Sequence, residues 1–437
     1  MLPVVGADLQ VPVVTGGTVR YANLDYAASA PALESVEEHL SQVLPYYASV
    51  HRGAGYASQV STALLERARA TVGRFLGARA GDVVVFTRNT TDALNLLAGC
   101  LPQWGDVVFL DAEHHANLLP WQRGEHRYVP VRGSLDATLQ SLESALRERP
   151  AALVAITGAS NVTGEELPIE RVVAIAHRHG ARVVVDAAQL APHRRIDLDA
   201  TGVDYVALSG HKLYAPYGTG VLVGRRDWLD RGTPYLAGGG AVRSVELERT
   251  EWACAPQRHE GGTPNMLGAA ALAASCEALA ALPEAALEVH EAALRERLVH
   301  GLAQLPGVRV HRIFDDAPSS IGVVTFTVDG VDPGLVAAYL SAEHGIGVRD
   351  GKFCAHPLLA RLGLDAGAVR ASVGVGSQTD DVDRLVAALA SLIETGPAWQ
   401  YASVEGRWTP TPDPRPLPRW ATGAGDLGAS PCTPEAR

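Results

Sequence analysis

Lysine is almost absent from this chain: of 37 basic side chains, 35 are arginine, and only Lys212 and Lys352 are lysine. Arginine serves surface charge equally well but keeps its proton at cellular pH, so a retained lysine points to a need for an amine. Lys212 sits in SGHKLYAP, directly after the apolar run VDYVALS. At the end of a buried strand such an amine can lose its proton and attack a carbonyl. A plain surface lysine is the alternative. Upstream, RVVVDAAQ closes a β-branched run with Asp186. A carboxylate there needs a partner. The protonated ring nitrogen of pyridoxal phosphate would be one, and a salt bridge or helix cap would be another.

Other candidate residues follow the same rule of lying just after an apolar run. VVVF leads into TRNTTDALN, where Thr90 and Thr91 open a helix whose hydroxyls and free N–H groups could cradle a phosphate or simply cap it. VVFL leads into DAEHHANLLPW. No further ligand has metal spacing to these two histidines, so a flat imidazole stacked on an aromatic cofactor suits His114 better than zinc. ITGASNVTG presents Asn161 at the same level. Each residue is weak evidence alone, but together they describe one pocket.

The elements that must position them alternate. Candidate strands at Val83–Phe86, Val107–Leu110, Leu153–Thr157, Arg182–Asp186, Val203–Ser209 and Gly220–Gly224 are separated by amphipathic stretches such as IERVVAIAHRHG. This pattern predicts an α/β fold with a mainly parallel sheet between helices, and ligands beyond the carboxyl ends of its strands. Long helices near 267–282 and 287–305 lead to strand-like runs at Val308–Arg312, Ile321–Val328 and Ile346–Arg349, which suggests a smaller α+β domain. The expected division is an N-terminal segment (1–20), a large domain (21–280), a small C-terminal domain (281–397) and a Pro-rich tail (398–437). PTPDPRPLP favours an extended or disordered appendage in that tail.

With 37 basic against 48 acidic side chains the net charge is −11, which argues against a nucleic-acid surface. No apolar run is long enough for a membrane span. Five scattered cysteines without CxxC spacing suggest neither a disulfide framework nor a metal site, so a reduced, cytoplasmic setting is expected.

The segments YANLDYAASAP, FTRNTTDALNLLA, AEHHANLLPW, ASNVTGEELPI, VVVDAAQLAPH, VDYVALSGHKLYAPYGTGVLVG, HEGGTPN and GVRDGKFCAHPLL resemble fold-type I, class V pyridoxal-phosphate enzymes, most of all group II cysteine desulfurases and selenocysteine lyases. The resemblance runs from about residue 20 to 395. It implies that Lys212 holds the cofactor as a Schiff base and later carries the Cα proton, that Asp186 pairs with the ring nitrogen, and that Gln189 bonds its phenolic oxygen. His114 would stack on the ring. Thr90, Thr91, Ser209 and His211 would hold the phosphate, joined by Thr263 of the partner subunit in a homodimer. Asn161, Arg349 and Arg370 would bind a small amino-acid substrate.

Cys354 would take sulfur from L-cysteine as a persulfide, release alanine and pass the sulfur to an acceptor protein. The family's usual His pair before this cysteine is replaced by Lys352 and Phe353, and Gly55 stands where relatives commonly carry His. Another class V reaction (selenocysteine lyase, C–S lyase, epimerase or decarboxylase) is therefore the alternative, with a non-enzymatic scaffold behind it. In an extended segment Lys352 would project to the side of Cys354 and favour its thiolate. A solvated loop lysine is the other reading.

Overall fold

A computed structural model describes residues 1–421 apart from Trp104 and Glu284. Its centre is a seven-stranded sheet in the order Asp82–Thr87, Gly220–Arg225, Tyr205–Ser209, Arg182–Asp186, Ala151–Thr157, Asp106–Leu110 and His126–Val129. Only Gly220–Arg225 runs opposite to the other six strands. All six candidate strands are present, and the seventh, His126–Val129, is a half-exposed edge whose charged residues hide it from a hydropathy reading.

Alternation along these strands feeds two cores. Val183, Val185, Val206 and Leu208 face one side, and Val184, Tyr205 and Ala207 the other. Burial on both faces is the reason the strands read as continuous apolar runs. Gly220 lets the antiparallel strand come close to the start of helix Thr90–Ala98, because a Cβ there would lie 2.6 Å from Asn89 Cα. The first turn of that helix is thereby held at the sheet's edge.

The second unit is a four-stranded antiparallel sheet, ordered Val308–Val310, Val323–Val328, Ala368–Ser372 and Arg349–Gly351. Helices Ala286–Ala303, Pro333–His344 and Thr379–Thr395 supply Leu298, Leu340 and Leu385 to its core. Ala22 and Leu24 are buried in that core too, where Ala22–Asn23 pairs in parallel with Ile346–Gly347.

Two expectations give way. Residues 398 onward do not begin an extended appendage: Tyr401–Val404 and Arg407–Pro410 form an antiparallel hairpin docked on helix Pro333–His344. Alternating prolines set in only from Pro410, and the Trp and Tyr residues before them supply apolar surface for docking. Nor are residues 352–354 extended, since Ala355 N donates to Lys352 O (2.9 Å) across Phe353 and Cys354, which have φ of 51° and 52°. This is the φ pattern of a type I′ turn, and it removes the alternation that would bring Lys352 to the side of Cys354. The tail beyond Ala421, with Cys432, lies outside the described residues.

Candidate active site

Strand Arg182–Asp186 carries Asp186 to its carboxyl end, where Oδ1 accepts a hydrogen bond from Ala188 N (2.9 Å) and burial raises the carboxyl's pKa. From the next strand, Tyr205–Ser209, the chain turns back on itself through Gly210 N to Thr219 O (2.7 Å) and presents Lys212 above the sheet. Burial lowers the Lys212 ammonium from 10.5 to about 8, against the pull of Asp186. Arg370 pushes it further down, while Cys354 and Asp25 draw it up. The amine therefore has an appreciable unprotonated fraction near neutral pH, as a carbonyl nucleophile requires.

At the sheet's other edge Asn89, rather than a threonine, caps the helix, its Oδ1 accepting from Asp92 N at 2.9 Å. Ser209 Oγ accepts from Thr90 N (2.8 Å) and lies 2.7 Å from Thr90 Oγ1. Thr91 and His211 line the same space, and His211 Nδ1 is 3.3 Å from Ser29 Oγ. Hydroxyls thus gather at the positive end of a nine-residue helix, which suits an anion.

His114 follows strand Asp106–Leu110, and its Nδ1 accepts from Ala116 N (3.0 Å). Burial, with Lys212, His115 and Arg370 adding to it, depresses its pKa to about 3, so the ring stays neutral. Gln189 is buried and donates through Nε2 to Ala27 O (2.7 Å). Behind His114, Glu113 is wholly buried and accepts from Asn117 Nδ2 (2.7 Å) and Thr157 N (3.1 Å). Burial raises its pKa well above the carboxylate norm.

The facing wall comes from the second sheet. Arg370, mid-strand and 3% exposed, donates from Nη1 to Asn161 O (2.8 Å) and from Nη2 to Asp25 Oδ1 (3.3 Å). Its buried Nε has no hydrogen-bond partner among the described residues. Its guanidinium stands 5.2 Å over the Phe353 ring. Asn161 Nδ2 donates to Phe353 O (2.8 Å) and His115 N to Cys354 O (2.8 Å), so the cysteine turn hangs from the opposite wall by two carbonyls. Between the walls is a cavity of about 440 Å³ lined by Thr90, Thr91, His114, Asn161, Asp186, Gln189, Ser209, His211, Lys212, Arg349, Phe353, Cys354 and Arg370.

Twelve of the expected site residues therefore converge. Thr263 does not line this chain's cavity and is exposed. Asp25, which holds Arg370, was not singled out from sequence, and Phe353 was noted there only as a departure from the family pattern, not as a partner of Arg370. Asp25 stands in YANLDYAASAP, but only pairing between Asp25 and Ser372 brings it to Arg370. Cys354 is exposed to the cavity, whereas burial pushes the thiols of Cys100 (up to about 12) and Cys276 upward and makes them inert. Among the described residues no three His, Cys, Asp or Glu side chains gather as a metal site, and no helix is long and apolar enough to cross a membrane.

Residues 22–385 match the family model described as aminotransferase class-V. A probable cysteine desulfurase 2 from Mycobacterium leprae is 39% identical over 79% of this chain and 85% of its own length. A cysteine desulfurase from Dickeya dadantii is 37% identical over 84% of this chain and 91% of its own. Among solved structures, the apo cysteine desulfurase of Thermococcus onnurineus NA1 superposes with a TM-score of 0.79 at 34% identity, covering 86% of this chain and 95% of that one. The cysteine desulfurase CsdA of Escherichia coli gives 0.77 at 34% identity over 86% and 95%. The family match ends before the C-terminal hairpin.

Proposed function

The chain belongs to the class-V aminotransferase family, and we propose that it is a pyridoxal-phosphate-dependent cysteine desulfurase that moves sulfur from L-cysteine to Cys354. The donor set suits that cofactor. Lys212 offers an amine to its aldehyde, Asp186 a carboxylate to its ring nitrogen, and neutral His114 a flat face. Thr90, Thr91, Ser209 and His211 offer donors to its phosphate. Gln189 has one N–H taken by Ala27 O and a second free for the phenolic oxygen. When bound, the cofactor would supply an electron sink for charge developing at the substrate Cα.

The observation that carries the reading is one cavity holding both an amine of lowered pKa and an accessible thiol. The unpartnered Nε of Arg370, beside the weakly held Nη2, leaves one edge of the fork for a substrate carboxylate. Lys212, once displaced by the substrate amine, takes the Cα proton. The Cys354 thiolate then attacks the substrate sulfur: an S–S bond forms, the Cβ–S bond breaks, and its electron pair stays with the carbon fragment. After protonation that fragment leaves as alanine, and Cys354 keeps the added sulfur as a persulfide. The sum, cysteine plus thiol giving alanine plus persulfide, needs no outside oxidant.

The persulfide would pass to an acceptor protein. A homodimer, with Thr263 of the partner subunit reaching the phosphate, and a cytoplasmic setting that keeps thiols reduced, complete the proposal. Cys354→Ser tests it. The variant should load cofactor normally, yet lose alanine release from L-cysteine by about 10²-fold and form no persulfide. Alanine and sulfide released at the wild-type rate would refute the persulfide route. Running selenocysteine and cysteine sulfinate in parallel identifies the preferred leaving atom.

A further inference from the structure

Strand Arg349–Gly351 is the outer edge of the second sheet, pairing only through Arg349–Arg370, Asp350–Val369 and Gly351–Ala368. It runs straight into the Cys354 turn. Successive side chains of a strand point to opposite faces. Arg349 lines the cavity, and Asp350 faces away from it toward the C-terminal hairpin. The strand is thus a partition with the site on one side and an appended element, outside the shared family region, on the other.

The hairpin is firmly tied down. Glu343, on helix Pro333–His344, accepts from Ala398 N (3.0 Å), Trp399 N (3.1 Å) and Tyr401 Oη (3.0 Å). Trp399 Nε1 donates to Pro412 O (2.8 Å), closing the base of the hairpin. Trp408, on its far strand, and Asp350, on the edge strand, both approach Gly334 in the first turn of that helix. A Cβ on Gly334 would lie 2.9 Å from Trp408 Cδ1 and 3.5 Å from Asp350 Oδ2. Only a residue without a side chain leaves them this room. Burial raises the Asp350 carboxyl's pKa, while the charges of Arg349 and Arg407 draw it back down.

We propose that the C-terminal hairpin is a clamp for the cysteine-bearing segment: Trp408, seated over Gly334 beside Asp350, holds the edge strand and so sets Arg349 and the Cys354 turn at the cavity. Trp408 and Glu343 are positioning residues, acting through the strand and not on the substrate. The clamp's consequence for turnover rests on the desulfurase reading, whereas its mechanical part does not.

Hydrogen exchange, Cys354 alkylation and steady-state alanine release in full-length Trp408→Ala and Trp408→Phe test it. Trp408→Ala should speed exchange in residues 349–355 as well as 401–410, and accelerate alkylation of Cys354. It should lower kcat for alanine release about tenfold with little change in KM, since the thiol acts after substrate binds. Cofactor loading, governed by the other wall, should be unaffected, and Trp408→Phe should restore most of kcat. Faster exchange in 401–410 with unchanged exchange in 349–355 and unchanged alkylation would overturn the clamp. If Trp408→Ala fails to fold, Glu343→Gln loosens the same attachment more gently and is read by the same two segments. A wild-type protein that releases no alanine from cysteine would sink the desulfurase reading alone, because the exchange and alkylation responses stand without it.

Discussion

The two walls of the cavity are built on different principles. One consists of strand ends and helix starts of the large sheet, where Asp186, Ser209 and Gln189 are each under 5% exposed and tied by short hydrogen bonds. The other is an edge strand running into a turn whose Phe353 and Cys354 occupy left-handed backbone conformations, a cost of about 1–3 kcal/mol each. That strain is held by bonds from outside the turn: Asn161 and His115 grip its carbonyls, and Arg370 lies against its ring. A cofactor seat benefits from rigidity, because it must hold one geometry through every step. Under the proposed reaction, a thiol that first attacks inside the cavity and then hands sulfur outward would be better served by an exposed turn, and Cys354 is exposed.

Breaking the rigid wall should cost most. Lys212→Ala is expected to lose about 10³-fold or more in alanine release, and its cofactor should wash off on desalting. Retained turnover would mean that the chemistry does not reside on this wall.

The next largest effect is on pH. Only the free amine adds to an aldehyde, and burial has lowered Lys212 to about 8. Covalent loading of cofactor-free protein should therefore rise about tenfold per pH unit up to about pH 8 and level off above it. A rise that continues toward the ordinary 10.5 would show that the wall does not desolvate the amine.

The smallest effect is expected on the strained wall. Because the turn breaks the alternation between residues 352 and 354, Lys352→Met should leave the pH dependence of Cys354 alkylation within about twofold of wild type. A clear shift toward higher pH would restore Lys352 as the thiol's activator.

The legibility of the two walls differs for the same reason. Strand Arg182–Asp186 appears in the structure with the limits expected from its sequence, and Lys212, Thr90, His114 and Asn161 all sit where the rule of strand ends put them. Burial on both faces leaves a strong local signal, and chemistry at the strand end follows from the topology. Strand Ala368–Ser372, which carries Arg370, passes without such a signal because AVRAS sets a charge amid small residues where RVVVD has a continuous β-branched run, and only the family resemblance pointed to that arginine.

The sequence by itself determined the strand ends of the first wall, since five apolar runs each led into a candidate residue that now lines the cavity. The tertiary structure alone decided how the sulfur wall is held. Asp25 meets Arg370 across 345 residues, Asn161 reaches Phe353 across 192, and Trp408 of the hairpin and Asp350 of the edge strand both approach Gly334. Contacts of that range leave no periodicity in the chain. They arise from how the two sheets are brought together, and the backbone strain at Cys354 persists only because those contacts oppose its relaxation.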